Sequence, residues 1–151
     1  MLSTSTTKTK KLAATVAKKI FNKKQGGPIV IGLVGDLGAG KTFFTKSFLG
    51  SLGIKEKVSS PTFVLMREYD IDNLRLGKGK YKRVYHIDVY RLAHDRDLRH
   101  LNFSKLLKDK NAIVLIEWAD KIKKLLPKKT IWINFKHGKK ENERIIETRN
   151  V

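Results

Sequence analysis

An apolar segment, Pro28 to Val34, runs directly into Gly35-Asp36-Leu37-Gly38-Ala39-Gly40-Lys41-Thr42, and Phe44, Phe48 and Leu52 then recur at helical spacing. Few folds accommodate a buried strand, a glycine-rich turn and a helix in that order. The octet matches G-x-x-x-x-G-K-[ST], the phosphate-binding loop. Its glycines let the backbone curl so that successive N–H groups face one centre, a nest for phosphate oxygens. The N–H groups of Asp36, Leu37, Gly38, Ala39 and Gly40 are the candidates for that nest. The helix that follows contributes the positive end of its dipole. Lys41 is then expected to reach the terminal phosphates, and the Thr42 hydroxyl to take a place on Mg²⁺. A ligand-free glycine turn is the plainer alternative, and the flanking strand and helix argue against it.

The rest of the chain alternates helix and strand, which predicts the α/β class. Residues 8–24 read as an amphipathic helix with Leu12, Val16 and Ile20 on one face, closed by Gly26-Gly27-Pro28. A strand is expected from Phe63 to about Asp70, a basic turn over 73–83, and a strand over Val84 to Asp88. One or two short helices are expected between Asp95 and Lys108. Ala112 to Ile116 reads as a fully buried strand ending at Glu117, followed by a helix from Ala119 that stops at Pro127. Ile131, Ile133 and Phe135 alternate as a strand, and a last strand follows around Arg144 to Thr148. The expected organisation is one domain over residues 1–151, with 1–8 a flexible tail and 73–83 a basic insertion.

A phosphate loop needs a carboxylate at the end of a neighbouring strand to hold Mg²⁺ or its water. Glu117 and Asp88 both stand at such ends, and the sequence alone leaves open which of them binds the ion directly. A helix cap or a solvated terminus is the alternative for each. Thr62 follows Ser60-Pro61, where nucleotide switches place a hydroxyl toward the γ-phosphate; an ordinary strand start would also fit. Trp118 adjoins Glu117, so it stands near the nucleotide or packs on the core. His86 and Arg91 are weaker candidates for a proton carrier and a charge on the leaving phosphate, and a structural histidine is the commoner case. No Asn-Lys-x-Asp segment is present to read guanine, which favours ATP.

Composition narrows the partners. The chain of 151 residues has a formal net charge of +19 and no Cys, which excludes a disulfide framework and a thiolate metal site and suits a reducing cytoplasm. No apolar run reaches the ~20 residues needed to span a bilayer. Positive charge collects at residues 1–28, 73–86 and 121–140, none of which contains an acidic residue. Such concentration fits a polyanion or an acidic protein surface, although solvated lysine faces would look the same. The basic turn at 73–83 and the 121–140 stretch are expected to attract such a polyanion or acidic surface rather than the nucleotide.

The octet, together with Ser60-Pro61-Thr62-Phe63, His86-Ile87-Asp88-Val89-Tyr90-Arg91-Leu92 and Ile116-Glu117-Trp118, in that order, resembles the TsaE family. The resemblance runs from about Thr9 to Pro127. It implies a P-loop NTPase-like three-layer fold, with a mixed, partly parallel sheet flanked by helices. It further implies a small ATPase that hydrolyses ATP to reset or activate the TsaD–TsaB pair, which transfers threonylcarbamoyl to adenosine-37 of tRNA. By position, Lys41 and the loop backbone would hold phosphates, and Thr42 and Glu117 would hold Mg²⁺. Asp88 would lie in a second switch-like segment, and Thr9 would touch the nucleoside. Phe43 stands where the family often has a second Thr, so its N–H remains but a hydroxyl near the α-phosphate is lost. The 73–83 insertion is also longer and more basic than the usual turn. Two other readings stay open: a small P-loop metabolite kinase, disfavoured by the lack of an Arg-rich lid, and a tRNA-binding module with a merely structural nucleotide site.

Overall fold

The computed structural model describes residues 2–23, 26–56, 66–71, 79–92, 98, 101–140 and 143–151. Their strands form one seven-stranded sheet in the order β1-β7-β6-β2-β5-β4-β3. In chain order these are β1 (Leu2–Ser3), β2 (Ile29–Val34), β3 (Met66–Asp70), β4 (Arg83–Asp88), β5 (Ala112–Glu117), β6 (Ile131–His137) and β7 (Arg144–Arg149). β2 runs parallel to both β5 and β6, and β5 runs parallel to β4. The outer pairs β3/β4, β6/β7 and β1/β7 are antiparallel, so the sheet is mixed.

The apolar runs explain the centre. Every residue of β5 is buried, as are the first five of β2, because parallel strands with both faces covered have no solvent side to make polar. Successive side chains go to opposite layers. Ile29, Ile31, Leu33, Ile113 and Leu115 meet the helices α1 (Thr6–Phe21) and α2 (Lys41–Ser51) on one face. Val30, Val114 and Ile116 meet Ala119 and Ile122 of the 3₁₀ helix Ala119–Leu125, and Phe103 of the one-turn helix Phe103–Leu106, on the other. Phe44 anchors α2: its ring stacks on Phe48 at 6.2 Å and meets Phe135 edge-on at 5.7 Å. Among the described residues no helix is long and apolar enough to cross a membrane.

The amino-terminal segment departs from the expected flexible tail. Leu2 and Ser3 pair with Ile145 and Arg144 of β7, and α1 begins at Thr6. Two polar contacts fix the entry: Ser3 Oγ lies 2.8 Å from Thr9 Oγ1, and the Lys8 N–H donates to Ser5 Oγ at 3.3 Å. Ser5 thus caps α1, and Ser5→Ala is expected to cost ~1 kcal/mol, visible as a lower midpoint in urea denaturation. An unchanged midpoint would mean that this cap contributes nothing. Residues 73–78 of the expected basic turn and the start of the Phe63 strand lie outside the described residues, whereas Lys82 is exposed and Lys80 lies 5.4 Å from the Tyr81 ring centre. The segment from Ala119 is a 3₁₀ rather than an α-helix, broken by Ile122 at φ −119°.

Candidate functional site

The site forms where β2, β5 and β4 end side by side. Parallel register sets Leu33 opposite Glu117 and Glu117 opposite Asp88, so both carboxylates reach the same edge as the loop leaving β2. That loop turns through positive φ at Gly35 (148°), Gly38 (73°) and Gly40 (101°), backbone geometry that side chains with a Cβ rarely adopt. Gly40 opens α2 with no side chain capping the helix, so the N–H groups of its first turn are left for a ligand.

Lys41 is buried, and its ammonium donates to Gly35 O at 2.5 Å and Asp36 O at 2.8 Å. The same Nζ lies 3.7 Å from the centre of the Trp118 ring. Burial lowers the Lys41 pKa, opposed in turn by the negative charges of Glu117, Asp88, Asp120 and Asp36. Trp118 holds φ +61°, an uncommon backbone for a bulky residue, and its ring leans on Tyr90 at 4.8 Å.

Glu117 is almost fully buried and has three polar neighbours. Thr42 Oγ1 donates to its Oε2 at 2.9 Å, Thr45 Oγ1 donates to its Oε1 at 3.2 Å, and His86 Nε2 lies 2.9 Å from Oε1. His86 is therefore a buried partner of the carboxylate, with no route to solvent of its own. Asp88 Oδ1 accepts the Tyr90 N–H at 3.0 Å. Thr42, Glu117 and Asp88 line one cavity of about 390 Å³ with Lys41, Tyr90 and Trp118. Their oxygens are the hard donors that Mg²⁺ prefers. Among the described residues no three His, Cys, Asp or Glu side chains gather as a metal cage. That donor set fits an ion completed by water and phosphate oxygens.

A second cavity of about 570 Å³ adjoins the first across Gly38, Gly40 and Phe43. Thr9 lies in its wall, together with Ser3, Ser5, Phe135, Arg144 and Ile146. Its size suits a nucleoside. Of the remaining loop candidates, Ala39 is buried, Asp36 is exposed, and Leu37 projects into solvent at 74% exposure. Arg144 Nη2 donates to Gly38 O at 3.1 Å, and His137 Nε2 lies 3.3 Å from Leu37 O. Arg91 is exposed, and Thr62 lies outside the described residues.

Sequence reasoning did not single out Thr45, Ser3 or Arg144. Thr45 stands one helical turn after Thr42, so the 3.6-residue period was an available signal. Ser3 and Arg144 reach the site only through the pairing of β1 with β7, which leaves no local mark in the sequence.

Comparison with known proteins settles the family. The family model described as "Threonylcarbamoyl adenosine biosynthesis protein TsaE" matches residues 3–146. The chain belongs to the TsaE family. It is 36% identical over 121 residues to the tRNA threonylcarbamoyladenosine biosynthesis protein TsaE of Haemophilus influenzae, covering 80% of this chain and 69% of that protein. The TsaE of Bacillus subtilis is 37% identical over 119 residues, covering 79% of this chain and 68% of its own. The crystal structure of Bacillus subtilis YdiB superposes with a TM-score of 0.67 at 31% identity, covering 97% of this chain and 80% of that one. Membership of TsaE places the chain in threonylcarbamoyladenosine (t6A) biosynthesis on tRNA.

Proposed function

We propose that this TsaE-family chain is a cytoplasmic, Mg²⁺-dependent ATPase that serves as accessory subunit to a TsaD–TsaB transferase acting on adenosine-37 of tRNA. The observation that carries the ATPase reading is the 2.9 Å bond from Thr42 to Glu117 beside the buried Lys41. It joins the hydroxyl of the phosphate loop to a carboxylate on the neighbouring strand, as an ion-binding phosphate site requires.

In this reading the adenosine occupies the cavity walled by Thr9, Phe43 and Arg144, and the phosphates lie along Gly38 to Thr42. Lys41 turns from the carbonyls of Gly35 and Asp36 onto phosphate oxygens. Thr42 and Glu117 hold Mg²⁺, with Asp88 on the ion or its water; when bound, the ion neutralises charge on the phosphates. Glu117 keeps Oε1 committed to Thr45 and His86, so Oε2 is the oxygen presented beside Thr42. Tyr90 and Trp118 flank this cavity and limit water around the terminal phosphate. Hydrolysis by this subunit then resets or activates the transferase, which performs the acyl transfer.

The deciding experiment measures phosphate release from labelled ATP, with and without the TsaD–TsaB pair and tRNA. Release stimulated by the complete assembly supports the proposal. Label moving to a small acceptor would make the chain a kinase, and no turnover under any condition would leave a structural nucleotide site. Glu117→Ala is expected to reduce Mg²⁺-dependent hydrolysis by roughly 10- to 100-fold while leaving metal-free nucleotide binding within about threefold. Normal hydrolysis in that variant would transfer the role to Asp88.

A further inference from the structure

The outward face of the α1–α2 layer carries a concentration of charge that the nucleotide site does not use. Lys8, Lys10, Lys11, Lys18 and Lys19 of α1 and Lys46 of α2 are all exposed. Neither helix contains an Asp or Glu. Among the described residues none of these lysines pairs with a carboxylate. At about 100° per residue, Lys8, Lys11, Lys18 and Lys19 fall within roughly a third of the helix circumference, opposite the buried stripe of Ala13, Val16 and Ile20. They extend along ~16 Å of helix at 1.5 Å per residue. Lys10 leans toward α2, its Nζ 6.0 Å from the Phe43 ring centre. With Lys11 it borders a shallow groove floored by Ala14, Ser47, Gly50 and Ser51.

Surface helices ordinarily interleave acids and bases at i, i+4, and like charges at that spacing destabilise. An acid-free helix therefore accepts self-repulsion that a polyanion would relieve on binding. The other lysine-rich surface is organised differently. Around the 3₁₀ helix, on the opposite side of the sheet, Lys121 donates to the Tyr90 carbonyl, Lys123 lies 5.9 Å from the Trp132 ring centre, and Asp120 intervenes.

We infer that the α1–α2 face is an RNA-docking surface whose lysines track the phosphate backbone. The choice of RNA among polyanions rests on the tRNA-modification reading above. Lysine point charges suit backbone contacts rather than bidentate base readout. The exposed positions of α1 are Lys, Thr and Ala, with no aromatic ring on which an unpaired base would stack. The RNA engaged is thus a folded, helical region recognised by its backbone, not a single strand.

The test uses the full chain and a tRNA transcript, with binding followed by fluorescence anisotropy at several salt concentrations. One variant replaces Lys8, Lys11, Lys18 and Lys19 with Gln. A charge-matched control replaces Lys123, Lys124, Lys128 and Lys129 with Gln on the other side. The α1 variant is expected to bind at least tenfold more weakly, with the slope of log K against log salt shallower by about 3.6 when all four contacts are lost, since each removes ~0.9. The control is expected to lose less than threefold, and Arg at the four α1 positions to retain binding. Equal losses in both variants, an α1 variant indistinguishable from wild type, or a wild-type chain that ignores tRNA at low salt would each overturn the surface. So would polyglutamate competing as well as RNA, which would make this face a seat for an acidic protein. ATP affinity of each variant reports an intact fold. Reconstituted t6A formation is scored in parallel with the wild-type chain and the α1 variant: equal t6A from both sinks this inference alone, whereas no t6A from the wild-type chain sinks the functional reading.

Discussion

An alanine at position 41 is expected to leave the protein folded and to lower its ATP affinity by on the order of a thousandfold. The ammonium of Lys41 now rests on two backbone carbonyls, Gly35 O and Asp36 O, which are weaker partners than phosphate oxygens. Each charge-assisted bond to phosphate contributes about 1.5–3 kcal/mol, so losing two removes roughly 3–6 kcal/mol of binding. The fold tolerates the change for a separate reason. Burial already disfavours the charged amine, so truncation relieves a desolvation cost while it removes two hydrogen bonds. Equilibrium binding of a fluorescent ATP analogue, paired with a thermal melt, checks both parts. Wild-type affinity in Lys41→Ala would remove the basis for a phosphate site here.

Gly35→Ala is expected to act on the fold itself. A Cβ at this residue would lie 2.3 Å from the carbonyl oxygen of Phe135, and the residue holds φ +148°. Backbone oxygen cannot swing aside as a side chain can, so β2 and β6 would have to part at the point where the phosphate loop begins. A cost of more than about 3 kcal/mol follows, a fall in Tm of roughly 6–12 °C for a domain of this size. Gly38→Ala is the informative contrast. It also has positive φ, but the nearest atom its Cβ would meet is a His137 ring carbon at 3.9 Å. Its cost is expected near 1 kcal/mol, the strain of the backbone alone. Similar melts for the two variants would show that the approach of Phe135 does not limit the loop.

Local signals carried most of the architecture. The buried runs of β2 and β5 and the alternation in β6 are written in consecutive residues, and so are the loop glycines and the acids at two strand ends. Glu117 and Asp88 could be placed because a strand end is a local feature. Thr45 needed only the helical period. What escaped depends on contacts distant in sequence. The Leu2–Ser3 strand is too short for periodicity and is held by Ile145 and Arg144, so its polar sequence looked like a tail. Likewise nothing in the Ala119–Leu125 segment announces 3₁₀ geometry, nor the close approach of Ala119 to β2, where a Cβ at Gly32 would lie 2.9 Å from that of Ala119. The burial of His86 against Glu117 is also a matter of strand pairing, because residues 31 positions apart meet only through the β4–β5 ladder.

The pairing of β1 with β7 has a consequence for the order of assembly. Residues 2–3 are made long before residues 144–149, yet one wall of the larger cavity needs both. Closing a loop of that length adds only a logarithmic entropy cost, but it cannot begin until the distant strand exists. The phosphate loop also leans on late residues: Arg144 Nη2 donates to Gly38 O, and a Cβ at Gly35 would lie 2.3 Å from the Phe135 carbonyl oxygen. The larger cavity is therefore complete only once β7 has been made. Removing residues 144–151 is therefore expected to weaken ATP binding as a whole, read by titration with a fluorescent analogue, because it opens that wall and withdraws Arg144 from Gly38 O.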